Sequence, residues 1–581
     1  MTGASGASSI TYGALPKWQL ALAVGAPVAL GLGYMYYRNS NKTTPKSNRG
    51  KLKSNSKKNG TPAADKQISI DVDCPPKTTP EPETELEKAQ RYKCEGNTQF
   101  RIGKYDEAIK QYTKAIDTCP PENTEDLATF YQNRAAAYEQ LKKYSAVKVD
   151  CTKALELKPR YTKALLRRAR ALECCNDFES ALEDVTAACI LESFSNQRTL
   201  EMADRVLKQL GKQHAMEHLA NKKYIMPSKH LIKNYINSFY KDPVFALLKN
   251  ADNSNLSQGF AKILKSMKEE KYDNIIQLCT EELGDSEPDA VPHGMEMFLL
   301  RATFYLLLGQ YETAIKDFDT IINSDVVSKS IKVNAFVKRA SSYMHLENPE
   351  KSFHDFNMAV ELDPECGDIY SHKGLANLLI EKIEKAREDF KKAVDLNPEF
   401  EVAYVHKCYA DYHYGIITRD RDISTEAIIG FEKAFEKFPS FPDCYILYAQ
   451  ILSETQEFQK ADSYLSKAIE KYPDNAATAY VHRGLLQLKW VGDVDKAVEY
   501  INHALKLDNK CEFGYETLAT IEVQRGNLER AIELFDEALA LTRTTPELVH
   551  IFGLRNAVKT QLALKDKLGP DIPLMNIPAV S

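Results

Sequence analysis

The sequence lacks the pieces that most enzyme classes need. Its 12 cysteines include no CxxC pair and keep no regular spacing, and Cys174 and Cys175 are adjacent, so neither a zinc ribbon nor a disulfide framework is indicated. They are expected to be reduced thiols, most of them acting as small hydrophobes on helix faces. The 12 histidines are scattered, with no HExxH and no Cys/His metal spacing. No Walker A loop occurs, since GDVDKA around Gly492 reads as an inter-helix turn, and no GxSxG elbow occurs. No catalytic residue, metal or cofactor is expected, and the chain reads as a non-enzyme. Charge of one sign is also missing: the net of −5 supplies no field for nucleic acid. At 581 residues and 43% apolar content, the chain is folded and too long for one ordinary core.

One long apolar run is present. Residues 18–37, from Trp18 to Tyr37, carry no charge and contain a single polar residue, Gln19. Twenty helical residues span about 30 Å, one hydrocarbon core. Trp18 stands at one end and Tyr34, Tyr36 and Tyr37 at the other, as expected at two membrane interfaces. Lysines and arginines follow from Arg38 to Lys58 with no acid before Asp65, whereas only Lys17 precedes the run. This order opposes that of a cleaved signal peptide and predicts a single transmembrane signal anchor. Residues 1–17 would be a short non-cytosolic tail, with the bulk of the chain in the cytosol. Residues 38–84 are basic and proline-rich and read as a disordered linker.

From about Glu85 a unit of some 34 residues repeats. Tyr92, Gly96, Ala108, Tyr112, Ala115 and Pro120 share their offsets with Tyr370, Gly374, Ala386, Phe390, Ala393 and Pro398. Small residues fit where two antiparallel helices cross, aromatics fill the space between hairpins, and proline stops the second helix. These are tetratricopeptide (TPR) signatures. The expected fold is all-α, a TPR superhelical solenoid in two arrays behind the transmembrane helix. Residues 85–193 hold three repeats, and 194–258 break the period as bridging helices around IMPSKHLIKNYINSF. Residues 259–581 hold seven or eight more, one stretched around residues 414–425, with PELVHIFGLRNAVKTQLAL as a capping helix.

The first helix of each repeat lines the concave face of such a stack. Lys93 and Asn97, then Asn133, then Lys163 and Arg167 fall on that face in the first three repeats. Three cations and two amides suit a doubly ionised peptide end. In the later array, Val405, His406, Tyr409, Tyr412 and His413 fall on the same face, with Val337, Lys338, Leu375, Gln450 and His482 in neighbouring units. A mixed aromatic and polar groove suits loose recognition of apolar segments.

The five early positions resemble the dicarboxylate clamp of TPR co-chaperones. The whole arrangement of anchor, basic linker, clamp repeats, bridge and long second array resembles the large TPR receptor family of the mitochondrial outer-membrane translocase. That resemblance implies a mitochondrial outer-membrane import receptor. Its clamp would take the C-terminal tails of heat-shock protein 90 and heat-shock protein 70. Its later array would accept precursor proteins such as carriers and pass them to other translocase subunits. The alternative is a chaperone-recruiting TPR scaffold on another membrane, without a translocation role.

Overall fold

The computed structural model describes residues 83–249, 257–284 and 291–568. The expected tail (1–17), the anchor (18–37) and all but the last two residues of the linker lie outside the described residues. Within the described residues, no helix is long and apolar enough to cross a membrane.

The described chain is helical throughout. Three hairpins come first: α1 (Glu85–Arg101) with α2 (Tyr105–Thr118), α3 (Thr124–Gln140) with α4 (Tyr144–Leu157), and α5 (Thr162–Cys174) with α6 (Phe178–Leu191). The bridge holds α7 (Gln197–Ala220), α8 (Lys229–Asn237) and α9 (Phe245–Lys249). Eight hairpins follow: α10 (Gln258–Lys268) with α11 (Ile275–Leu283), α12 (Gly294–Leu308) with α13 (Tyr311–Asn323), α14 (Lys329–His345) with α15 (Pro349–Leu362), and α16 (Gly367–Leu379) with α17 (Ile383–Leu396). They continue as α18 (Glu401–Thr418) with α19 (Arg421–Lys437), α20 (Asp443–Glu454) with α21 (Phe458–Lys471), α22 (Ala477–Trp490) with α23 (Val494–Leu507), and α24 (Glu512–Gln524) with α25 (Leu528–Leu541). The last helix is α26 (Thr545–Leu568).

The repeat signature has a steric basis. A Cβ on Gly96 would lie 2.6 Å from the Tyr112 ring, and one on Gly374 would lie 2.9 Å from Phe390, so each glycine admits the aromatic of its partner helix. Ala108 and Ala115 are fully buried at the same crossing. Pro120 and Pro398 stand just beyond the ends of α2 and α17, where a helix cannot continue. Thr84 and Glu87 close a capping box at the start of α1. The stretched repeat is a longer hairpin, not a long loop. Its first helix has 18 residues and its second 17, joined at Arg419 (φ 60°) with Asp420 capping α19.

A recurring arginine ties the hairpins together. Arg134 donates through Nε and Nη2 to Asp150 of its own hairpin, both at 2.8 Å, and through Nη1 to Thr113 of the preceding one at 3.0 Å. Arg168 repeats this with Asp184 and Thr152, and Arg301 with Asp317 and Thr280. Arg339 does so with Asp355 and Asp319. Bidentate pairing fixes the angle between helices as well as their attraction.

The chain divides into two compact units. One holds the described residues up to Met216 together with those from Phe552; the other is Glu217–Ile551. This division differs from the boundaries expected at 193 and 258. The second part of α26 belongs with the early repeats, where Leu564 packs in a cluster with Ala154, Leu155, Ala164 and Leu165. Only its first part stays with the array it was expected to cap. Among the described residues, ten cysteines are free thiols.

Candidate functional site

In the early unit, α1, α3 and α5 place Asn97, Asn133 and Arg167 at equivalent positions of three successive first helices. Asn97 and Asn133 meet directly. The Oδ1 of Asn97 accepts the Tyr112 hydroxyl at 2.8 Å and the Asn133 Nδ2 at 3.4 Å. Asn97 is 4% and Asn133 1% exposed. The Oδ1 of Asn133 has no hydrogen-bond partner within the protein. A buried amide acceptor in that position is suited to a donor brought by a ligand.

Arg167 is 5% exposed and already engaged. Its Nε donates to Glu139 Oε2 at 2.8 Å and its Nη1 to the Gln132 carbonyl at 3.2 Å. Arg170 donates to the other Glu139 oxygen at 3.3 Å. The sequence pattern suggested a cation standing in an open groove. The structure instead pairs Arg167 with a carboxylate two turns along α3 from Asn133. Glu139 escaped notice because it lies outside the face occupied by the other four residues. Lys93 and Lys163 are half-buried, each one turn before Asn97 or Arg167 on its helix. The set therefore presents two lysines above an amide pair and a pre-oriented guanidinium.

The later unit is different. Val405, His406 and Tyr409 are fully buried, and Tyr412 and His413 nearly so. Val337, Lys338, Leu375, Gln450 and His482 are buried as well. The expected floor of an open groove is thus enclosed wall. The Tyr409 and His413 rings lie 4.4 Å apart, edge to face, and His406 stacks on Phe390 at 5.7 Å. The His406 ring also meets the Val402 carbonyl through Nδ1 at 2.7 Å. Gln450 and His482 join side chains across two repeats at 3.2 Å. The physical reason is coverage: α20 buries every residue from Cys444 to Leu452, which a helix with a solvent-facing inner surface does not do. Burial drives His345, His372, His413 and His482 down to about 3, so these rings are neutral at physiological pH. Among the described residues, no cluster of histidine, cysteine and carboxylate has metal-holding geometry.

Known proteins match this architecture. The family model described as tetratricopeptide repeat matches residues 128–161, 367–400, 442–475 and 477–511. The human protein named mitochondrial import receptor subunit TOM70 is 41% identical over 596 residues, covering 97% of this chain and 95% of that protein. The crystal structure of the yeast Tom70 is similar at 24% identity and a TM-score of 0.48, covering 82% of this chain and 97% of that one. The first TPR of Spaghetti (RPAP3), solved bound to an HSP90 peptide, is 35% identical with a TM-score of 0.20, covering 22% of this chain and 97% of that one.

Proposed function

The chain belongs to the TOM70 family of mitochondrial import receptor subunits, a family of receptors and not of enzymes, and we propose how its two units divide that work. The early unit docks the carboxylate-rich C-terminal tails of heat-shock protein 90 and heat-shock protein 70 on Lys93, Asn97, Asn133, Lys163 and Arg167. The observation that carries this reading is the alignment of Asn97, Asn133 and Arg167 on successive first helices, with a buried amide oxygen left for a ligand's N–H. The lysines take the terminal and side-chain carboxylates, and Asn133 accepts a peptide amide. Arg167 either bridges to the tail or exchanges Glu139 for it. The later unit receives precursor proteins with internal targeting signals, such as carriers, for transfer to other subunits of the translocase. Residues 18–37 anchor the chain in the mitochondrial outer membrane with its C-terminal part in the cytosol.

Calorimetric titration of the chain with a peptide ending in Glu-Glu-Val-Asp tests the clamp. Lys163→Ala and Lys93→Ala are each expected to weaken binding about tenfold or more, the value of one charge-assisted contact. Both lysines are half-buried, so helicity and unfolding midpoint should hold. Unchanged affinity in both variants would sink the clamp. Arg167→Ala is the less clean probe, because it also leaves Glu139 unpaired.

A further inference from the structure

The bridge does more than connect. Within the later unit it meets the repeats in the sense opposite to their order, at the connections before α24 and α22 and then on the first helices α16 and α14. The Met226 carbonyl accepts Lys510 at 2.9 Å, and Asn234 pairs with Asn475 at 3.4 Å. Further along, the backbone N–H groups of Tyr240 and Lys241 donate to Asp368 at 2.6 and 2.9 Å. Asp242 then accepts Lys338 at 2.7 Å. Through these contacts the partners retreat from 510 to 338 as the bridge advances from 226 to 242, while Lys229 and Lys233 on its α8 pair with Glu270.

The contacts are those of a receptor reading a peptide. The Asp368 carboxylate takes two consecutive backbone amides, a sequence-independent grip. Lys338, 1% exposed, reads the side-chain carboxylate of Asp242 and also donates to Thr303 at 3.0 Å. Its ammonium lies 5.0 and 5.2 Å from the centres of the Phe239 and Phe245 rings. His372 stacks on Phe239 at 4.1 Å. Thr303, Lys338, Asp368 and His372 all stand on first helices, α12, α14 and α16, the elements that line the inner face of a repeat stack. A cavity of 130 Å³, bordered by Tyr240, Lys241, Asn334 and Asp368, remains beside the crossing. The Oδ1 of Asn334 has no protein partner.

We propose that residues 226–245 are a built-in ligand of the later array, occupying the inner face that a precursor segment takes when the bridge lets go. This rests on the reading of the later unit as the precursor-receiving one. The latch is held by apolar burial as well as by charge: Met226, Ile232, Tyr235, Phe239, Val244 and Phe245 sit in the same hydrophobic cluster as the first helices, so an incoming segment must replace that apolar contact. A buried lysine–carboxylate pair gains little net energy over its two hydrated halves, and release of the bridge exposes both to water together. Being tethered, the bridge competes at high effective concentration, so a precursor must engage several repeats to displace it.

The test uses the whole chain in nanodiscs and a fluorescein-labelled apolar segment of a carrier precursor as probe. Asp242→Asn weakens the latch, and is expected to tighten probe binding about tenfold by raising the open population. It should also speed deuterium uptake across 226–245. Asn234→Cys/Asn475→Cys, in a background with the exposed Cys174 and Cys175 replaced by serine, is joined by a short reducible bis-thiol reagent. Pinning should abolish probe binding and reduction should restore it. Equal binding by pinned and released forms, or loss of binding in Asp242→Asn, would show the bridge to be permanent wall and overturn the proposal while the precursor reading stands. Failure of every form, wild type included, to bind the probe removes the precursor reading and this proposal with it.

Discussion

The two units use the same repeat in opposite ways. In the early unit, α1 buries only Ala89, Gly96, Asn97 and Phe100 among its 17 residues, and the inner face carries lysines. In the later unit, α20 buries nine consecutive residues, and the inner positions of α14, α16 and α18 are equally enclosed. A 34-residue hairpin thus specifies how neighbours pack, but not whether the inner surface stays open. That is decided by the side chains laid over it. In the early unit Lys93 and Lys163 stay partly exposed, whereas Asn97, Asn133 and Arg167 beside them are buried. In the later unit the aromatic and neutral imidazole groups are buried, and at His372 the bridge supplies the cover through Phe239.

The largest effect separating the two faces should come from truncating a residue expected to line the later groove. Tyr409 is fully buried in the main hydrophobic cluster. Tyr409→Ala should cost about 3–5 kcal/mol, as removal of a large core aromatic does. Denaturant unfolding of the whole chain, with hydrogen exchange to locate the loss in α16–α20, would measure it. A cost under about 0.5 kcal/mol, the usual range for surface sites, would mean that Tyr409 faces an open groove and that the contrast between the units is false.

Much of the fold was legible because its signals are local. Gly96 and Tyr112 sit within one hairpin, and their spacing recurs wherever the same crossing recurs. The five residues proposed as the clamp could be picked out for the same reason, since three equivalent helices repeat one face. The enclosure of Tyr409 and His413 was not. Periodicity assigns a residue to the inner face of α18, yet it says nothing of which groups pack against that face from elsewhere in the array. Glu139 was missed because a pairing between α3 and α5 has no offset of its own. The arginine–aspartate tie could have been read: Arg134/Asp150, Arg168/Asp184, Arg301/Asp317 and Arg339/Asp355 all stand 16 residues apart.

A second difference concerns acid and base. Burial raises Glu512 and Glu454 in the later unit to about 7, whereas it holds four histidines of the same unit down to about 3. The signs oppose. For the histidines, the folded value lies below the unfolded one of about 6.5, so their contribution is present above that pH and is lost on acidification. For Glu512 the folded value lies above the unfolded one. Its favourable contribution is therefore present below about pH 4 and is lost as pH rises through 7. At pH 8 an ionised Glu512 weighs against the fold. Glu512→Gln keeps an acceptor for the Thr542 hydroxyl, now 2.6 Å from Glu512, and should stabilise the chain by about 2 kcal/mol at pH 8. The gain should shrink toward zero as pH falls to 4. Because the histidines are common to both chains, the difference between variant and wild type reports the carboxyl pair Glu512 and Glu547, whose titrations are linked. A gain that is the same at pH 8 and pH 5 would place its origin elsewhere.

The smallest effect tests what the units share. If the arginine tie sets the angle between hairpins, its weakest strand should matter in the early unit as much as in the later one. Thr113 accepts Nη1 of Arg134 at 3.0 Å, and Thr280 accepts that of Arg301 at 3.3 Å. Neither substitution touches the bidentate grip on Asp150 or Asp317, so Thr113→Val and Thr280→Val each remove one charge-assisted bond, together with the hydroxyl's own bond to the Ile109 or Ile276 carbonyl. A loss of about 1 kcal/mol is expected from each. In the early unit the loss should carry a second signature. Asn133 is the residue preceding Arg134, so freeing the guanidinium from the preceding hairpin loosens the helix that presents the buried amide. Tail-peptide affinity should then fall a few-fold in Thr113→Val and stay unchanged in Thr280→Val. Equal affinity in both would confine the tie to stability, leaving the clamp geometry to Tyr112 and the Asn97–Asn133 pair alone.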